Sequence, residues 1–246
     1  MFNKASLLAT LLLASTTSAL YTYSGPMSGL AIADTVKVPS GFTTVSITGC
    51  TVNMIELDGI DAGATISISD TTVTTGGIQF LTALTSPAIT LSNVVVTTTA
   101  ANDWALRFVG AVTGGTVRIL GGSYTGAKST AVVFQDVIAA ATTVSLSGVA
   151  ISSPTSAVCP GLRFLAAVAG AVSVSGGTIS STLNDGVLLD DALSGSLAIT
   201  DVAISGKANG LRFGVVTGGS VSVAGGSIAG TAGAGVRFAS ALDAAS

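Results

Sequence analysis

The chain has 246 residues with 12 acidic and 9 basic side chains, so charged residues make up 9% of it, against roughly 25% in an ordinary soluble domain, and a basic nucleic-acid-binding surface is excluded. Hydrophobic residues reach 48% and aromatic residues only 5%, a balance too apolar for disorder and too rich in β-branched and turn residues for a helical protein. Histidine is absent, which removes Ser-His-Asp triads, Cys-His dyads and imidazole metal ligands together.

The first element in chain order is an address. Lys4 precedes an apolar run from Leu7 to Leu13, and small residues follow at Thr17 and Ala19, the pattern of a cleavable signal peptide over residues 1–19. That run is far shorter than the ~20 residues needed to cross a bilayer. No later segment reads as a transmembrane helix, so the expected localisation is secreted or cell surface. Without Lys4, eight basic side chains face twelve acidic ones, a net charge of about −4.

Residues 20–246 read as one domain, with Tyr21 to Val36 covering the N-terminal end and coils running from about Lys37 to Asp243. The reason is internal repetition. An apolar-small-apolar segment followed by a polar or Gly-rich turn returns eight times, starting at Val45 (VSITGCTV), Ile66 (ISISDTTV), Ile89 (ITLSNVVV), Val117 (VRILGGSY), Val144 (VSLSGVAI), Val172 (VSVSGGTI), Leu197 (LAITDVAI) and Val221 (VSVAGGSI). The periods are 21, 23, 28, 27, 28, 25 and 24 residues. The first, third and eighth positions are apolar in every copy.

A second short strand lies between copies: Ile55 to Leu57, Ile78 to Phe80, Leu106 to Phe108, Val132 to Phe134, Leu162 to Phe164, Val187 to Leu189, Leu211 to Phe213 and Val236 to Phe238. Its distance to the next copy stays between 10 and 12 residues, while its distance from the preceding start varies from 10 to 18. One constant and one variable connection is what coils of equal perimeter with insertions at one corner require. The expected fold is all-β, a right-handed parallel β-helix of about eight coils with three short strands each. Phe80, Phe108, Phe134, Phe164, Phe213 and Phe238 should stack inside it at the ~4.8 Å spacing of neighbouring strands. Leucine-rich, hexapeptide and calcium-binding nonapeptide repeats are excluded by the missing LxxLxLxxN frame, the irregular period and the lack of GGxGxD.

Turn chemistry agrees. Gly doublets such as Gly121-Gly122, Gly176-Gly177 and Gly225-Gly226 suit bends that need positive φ, and Asp70 and Asn93 hold neighbouring turn positions where the doublet is absent. Cys50 falls in the first turn and Cys159 in a variable loop about four coils away, or ~19 Å, too far for a disulfide. They are expected to be buried small hydrophobes or intermolecular partners.

The middle residue of the second strand points outward and forms a column: Glu56, Gln79, Arg107, Val133, Arg163, Leu188, Arg212 and Arg237. Arg107, Arg163, Arg212 and Arg237 are the candidate ligand-binding residues, because like charges at coil spacing invite an anion between them. The ligand expected from charge complementarity is an acidic glycan or extracellular-matrix polysaccharide. Asp185, Asp190, Asp191 and Asp201 cluster in sequence and are the only candidates for a glycosidase or calcium-dependent lyase site. Strand-end solvation and Asx turns are the expected explanation of them. No catalytic set, metal-ligand set or cofactor motif emerges.

The span from about Gly41 onward resembles the pectate-lyase-like right-handed parallel β-helix superfamily. The units VSITGCTV, ISISDTTV and LAITDVAI are similar in style to the dispersed gene family of trypanosome surface proteins. That resemblance implies a long exported protein of stacked coils, displayed at the cell surface and engaged in adhesion. The function expected is therefore a non-catalytic surface or secreted adhesion module that binds glycan or matrix. The alternative is a polysaccharide lyase or glycoside hydrolase of the pectate-lyase-like fold. The last coil is incomplete after Phe238, which leads us to expect self-association through an open C-terminal coil or a longer parent chain.

Overall fold

Side chains alternate along a strand, and only the apolar set of each copy can be buried, so every copy has one choice of inward face. The computed structural model describes residues 20–100, 103–155 and 159–240. The segment 1–19, expected to be a signal peptide, and the expected last residues of the domain, after 240, lie outside the described residues. Within them the chain is all-β, without a helix, and winds into a parallel β-solenoid of about eight turns.

The copies form the first face. Nine parallel strands, from Met27–Ser28 through Thr44–Thr48 to Ser220–Ala224, pair in sequence order. Val45 sits opposite Ile66, Ile66 opposite Ile89, and the same register continues to Leu197 opposite Val221. The eighth positions make the second face and the second strands the third, as two legs of one sheet. Thr51–Leu57 and Thr72–Phe80 run through both legs without interruption. From the third coil onward a loop opens between the legs, and this is the variable connection.

Two features exceed the expectation. Ala31–Val38 and Met27–Ser28 carry all three faces one rung further toward the N-terminus, and Leu20–Thr22 pairs on top of Ala31–Val38. The segment ahead of the first copy thus continues the ladder rather than merely covering it. The constant connection also contains a fourth, minimal rung: Leu84 pairs with Val112, and bridges join Val112 to Ile138, Ile138 to Val168 and Val168 to Leu193. Each of these five apolar residues lies six positions after the start of its second strand, a spacing that the sequence already carries.

The core is a stack of columns. Phe80, Phe108, Phe134 and Phe164 lie face to face with ring centroids 4.6, 4.5 and 5.2 Å apart and planes within 8°. Leu189 takes the next place between Phe164 and Phe213, and Phe213 stacks on Phe238 at 4.9 Å. Parallel in-register strands place identical residues at strand spacing, so the rings stack closely because the backbone holds them there.

At the corner between the first and second faces, the fifth residue of every copy is left-handed: Gly49, Asp70, Asn93, Gly121, Gly148, Gly176, Asp201 and Gly225 have φ between 49° and 67°. Asp and Asn serve where Gly is missing because their short polar side chains tolerate this region. Cys50 occupies the buried next position, aligned with Thr71 and Val94, and acts there as a small apolar side chain. Cys50 and Cys159 are both free thiols.

Tyr124 is the misfit of the core. It fills the eighth position of its copy, fully buried between Val96 and Ile151, and its hydroxyl meets no hydrogen-bond partner. Burial pushes its pKa well above the ordinary 10, so the phenol stays neutral in the folded chain. Tyr124→Phe is expected to raise stability by about 1–2 kcal/mol by removing a buried unsatisfied polar group. The unfolded chain releases this proton above pH 10 and the folded chain holds it, so stability falls as pH rises beyond 10. The variant should lack that part of the alkaline loss in denaturant titrations at pH 8 and pH 11. Equal stability at pH 8 would refute the assignment.

Candidate functional site: the arginine column of the third face

The second strands stack in register, with Gln79, Arg107, Val133, Arg163, Leu188, Arg212 and Arg237 as successive partners. The column is not uniformly open to solvent. Val133, Leu188 and Gln79 are buried. Arg212 and Arg237 are the only two arginines on adjacent rungs.

Each arginine has its own environment. Arg163 donates from Nε to Asp190 Oδ2 at 2.6 Å, a half-exposed ion pair with the next coil. Arg212 Nη1 lies 3.7 Å from Asp185 Oδ2, and its Nε is buried without a partner. Arg237 is exposed and forms no ion pair among the described residues. Arg107 has no carboxylate within ion-pair distance either, but is held by neutral groups. Its Cζ lies 4.0 Å from the centre of the Trp104 ring. Nε and Nη2 both donate to Gln135 Oε1, at 3.0 and 2.8 Å, and Nη1 donates to Gln79 Oε1 at 3.4 Å. Partial burial lowers the Arg107 pKa below its ordinary value, and the group stays charged.

The corner where the variable loop that carries Trp104 leaves the second face is itself built from small residues. From the third copy onward, where the loop opens, the tenth position reads Thr98, Gly126, Ser153, Ser181, Gly206 and Gly230, small enough for the loop backbone to return against it. Ser153 Oγ donates to the Ser129 and Cys159 carbonyls at 2.8 and 3.2 Å, and Ser181 Oγ donates to the Cys159 carbonyl at 3.2 Å. In the sixth coil the corner is closed by Asp185, only 1% exposed. Its Oδ1 accepts from the Asn209 backbone N–H at 2.9 Å and from Asn209 Nδ2 at 2.7 Å. Ser129, Ser153, Ser181 and Asn209 carried no weight in the sequence reading. The recurring small tenth position was the signal that could have found this corner.

The acidic cluster disperses. Asp185 is buried against Asn209 and Arg212, and Asp190 is bound to Arg163. Asp191 Oδ1 accepts from the Ala192 N–H at 2.7 Å. Asp201 belongs to the left-handed turn at the corner of the first face. Two of the four therefore serve arginines of the column, Asp191 lies within the strand Val187–Leu193 at its register shift, and Asp201 serves a turn, so the four sit in separate settings rather than as paired glycosidase carboxylates facing one bond. Among the described residues no group of three or more Cys, Asp or Glu is arranged to hold a metal ion. No helix among them is long and apolar enough to cross a membrane.

The remaining outward surfaces carry short side chains. On the first face Ser46, Ser67, Thr90, Ser145, Ser173 and Ser222 form a flat hydroxyl column broken by Arg118 and Ala198. The fold places the chain among parallel β-solenoids, here with an arginine column on the third face. Comparison with known family models, with curated proteins and with solved structures gave no match, so the class rests on the coils themselves.

Proposed function

We propose that this chain is an exported, non-catalytic binding module, secreted or displayed at the cell surface, whose third face binds acidic polysaccharide such as a uronate-rich or sulfated glycan. One observation carries this reading. From Arg107 to Arg237 the third face presents four arginines on one register column, and only two of them have carboxylate partners. A face with uncompensated positive charge on a protein of negative net charge is a local field suited to an anionic polymer. The likeness of the repeats to the pectate-lyase-like superfamily and to trypanosome surface proteins belongs to the same proposal, and adhesion is the role it favours.

The test is an array of neutral, uronate and sulfated glycans probed with the purified chain. Binding is expected only to the anionic members, falling steeply between low and high salt, because exposed charges are screened over ~10 Å at 0.1 M. No binding to any anionic glycan at low salt overturns the proposal. Release of shortened or unsaturated products would replace it with the lyase or hydrolase reading.

A further inference from the structure

Arg107 and Arg237 both lack a carboxylate partner among the described residues, but only Arg107 is built into a fixed position. The Trp104 ring covers one face of its guanidinium, Gln135 takes the Nε/Nη2 edge and Gln79 takes Nη1. Gln79 is itself buried, and its Nε2 donates to the Gly76 carbonyl at 3.5 Å. All three partners are neutral. They orient the cation without cancelling its charge, whereas Arg163 and Arg212 each have an aspartate.

A guanidinium carries five N–H donors. The contacts to Gln135 and Gln79 account for three of them, and one N–H remains on Nη1 and one on Nη2. With Gln135 on the Nε/Nη2 edge, the Nη1–Nη2 end of the guanidinium is the one left for a carboxylate or sulfate to receive bidentately. A partly buried cation with no counter-charge is unfavourable by itself. Its rotamer is already paid for by the ring and the two amides, so an arriving anion meets a preorganised fork.

We propose that Arg107, set between Trp104, Gln135 and Gln79, is the anion-reading residue of the third face and takes a carboxylate or sulfate group of an acidic glycan at Nη1 and Nη2. This deepens the acidic-glycan reading above and rests on it. Arg237, exposed and unsupported, contributes general attraction to a polyanion. Arg107 supplies the directional contact.

Trp104 is the only tryptophan in the chain, so its fluorescence reports directly on this position. The experiment titrates the full chain with polygalacturonate oligomers, which carry only carboxylates, dextran sulfate oligomers, which carry only sulfates, and inorganic sulfate at low salt. Trp104 emission and calorimetric heat are followed in parallel. A saturable emission change with one of the two glycans is expected, and which glycan produces it assigns carboxylate or sulfate. Arg107→Gln is expected to weaken binding at least about tenfold and to abolish the emission change. Arg107→Lys keeps the charge, loses the fork and should weaken binding similarly. Arg118→Gln, on the first face, should stay within twofold. Far-UV circular dichroism checks that each variant is folded.

Calorimetric binding with a silent Trp104, or undiminished affinity in Arg107→Gln or Arg107→Lys, overturns the assignment and leaves the acidic-glycan reading standing. An equal loss in Arg237→Gln and Arg107→Gln also overturns it, since the column would then act as a uniform stripe. A response to inorganic sulfate as strong as to either oligomer reduces the site to a simple anion site and overturns the glycan assignment. No heat with either glycan overturns both.

Discussion

Gly177→Ala is expected to destabilise the solenoid by about 3 kcal/mol or more, while Gly176→Asn, one residue earlier in the same turn, should change stability by less than about 1 kcal/mol. Both glycines are left-handed, with φ of 76° and 61°. A Cβ on Gly177 would lie 2.2 Å from the Val149 carbonyl oxygen. That oxygen accepts the Thr178 N–H at 2.9 Å, so the coil must shift and an inter-coil hydrogen bond goes with it. A Cβ on Gly176 meets only Gly148 atoms at 3.8 Å, an ordinary contact. Asn93, Asp70 and Asp201 already hold the Gly176 position in other coils. Denaturant unfolding of the two variants checks the contrast. Equal losses would show that positive φ alone, and not the close approach of neighbouring coils, sets the requirement.

Phe134→Ala is expected to cost about 3–5 kcal/mol. Phe134 is buried and stacks on Phe108 on one side and Phe164 on the other, so its removal leaves a cavity between coils whose backbone spacing is held by hydrogen bonds. Coils in a solenoid are coupled only to their neighbours. The same substitution should therefore broaden the unfolding transition, because it weakens the link between the coils before and after it. Leu183→Ala, at an exposed loop position, serves as the comparison and should stay within about 0.5 kcal/mol. A loss at Phe134 no larger than at Leu183 would contradict a close-packed aromatic column.

Much of this fold was legible because a solenoid repeats one local solution. Val45, Ile66 and Ile89 align in the sequence as they do in the sheet, since each coil has the same perimeter and a shift of one residue would expose its whole apolar set. The left-handed corner could be read from Asp70 and Asn93 standing where other copies carry Gly. The fourth rung through Leu84 and Val112 was present at fixed spacing, but two-residue pairings have too little alternation to stand out. Tyr124 matched the apolar pattern by size alone, and its unpartnered hydroxyl shows only when its neighbours are in place.

The candidate site divides along the same line. The sequence by itself determined that Arg107, Arg163, Arg212 and Arg237 occupy one outward column, because period-two alternation and a constant coil fix which residues share a face. It did not determine their surroundings. Asp190 on Arg163, Asp185 with Asn209 on Arg212, and Trp104 with Gln135 on Arg107 come from neighbouring coils and from loops of unequal length. Periodicity carries no information about such loops, since their course is set by which backbone groups need partners at the corner. Only the tertiary structure decided which arginines have a carboxylate partner and which do not, because that depends on contacts some two dozen residues away in the chain, such as the 27-residue separation of Arg163 and Asp190, made only once the coils stack.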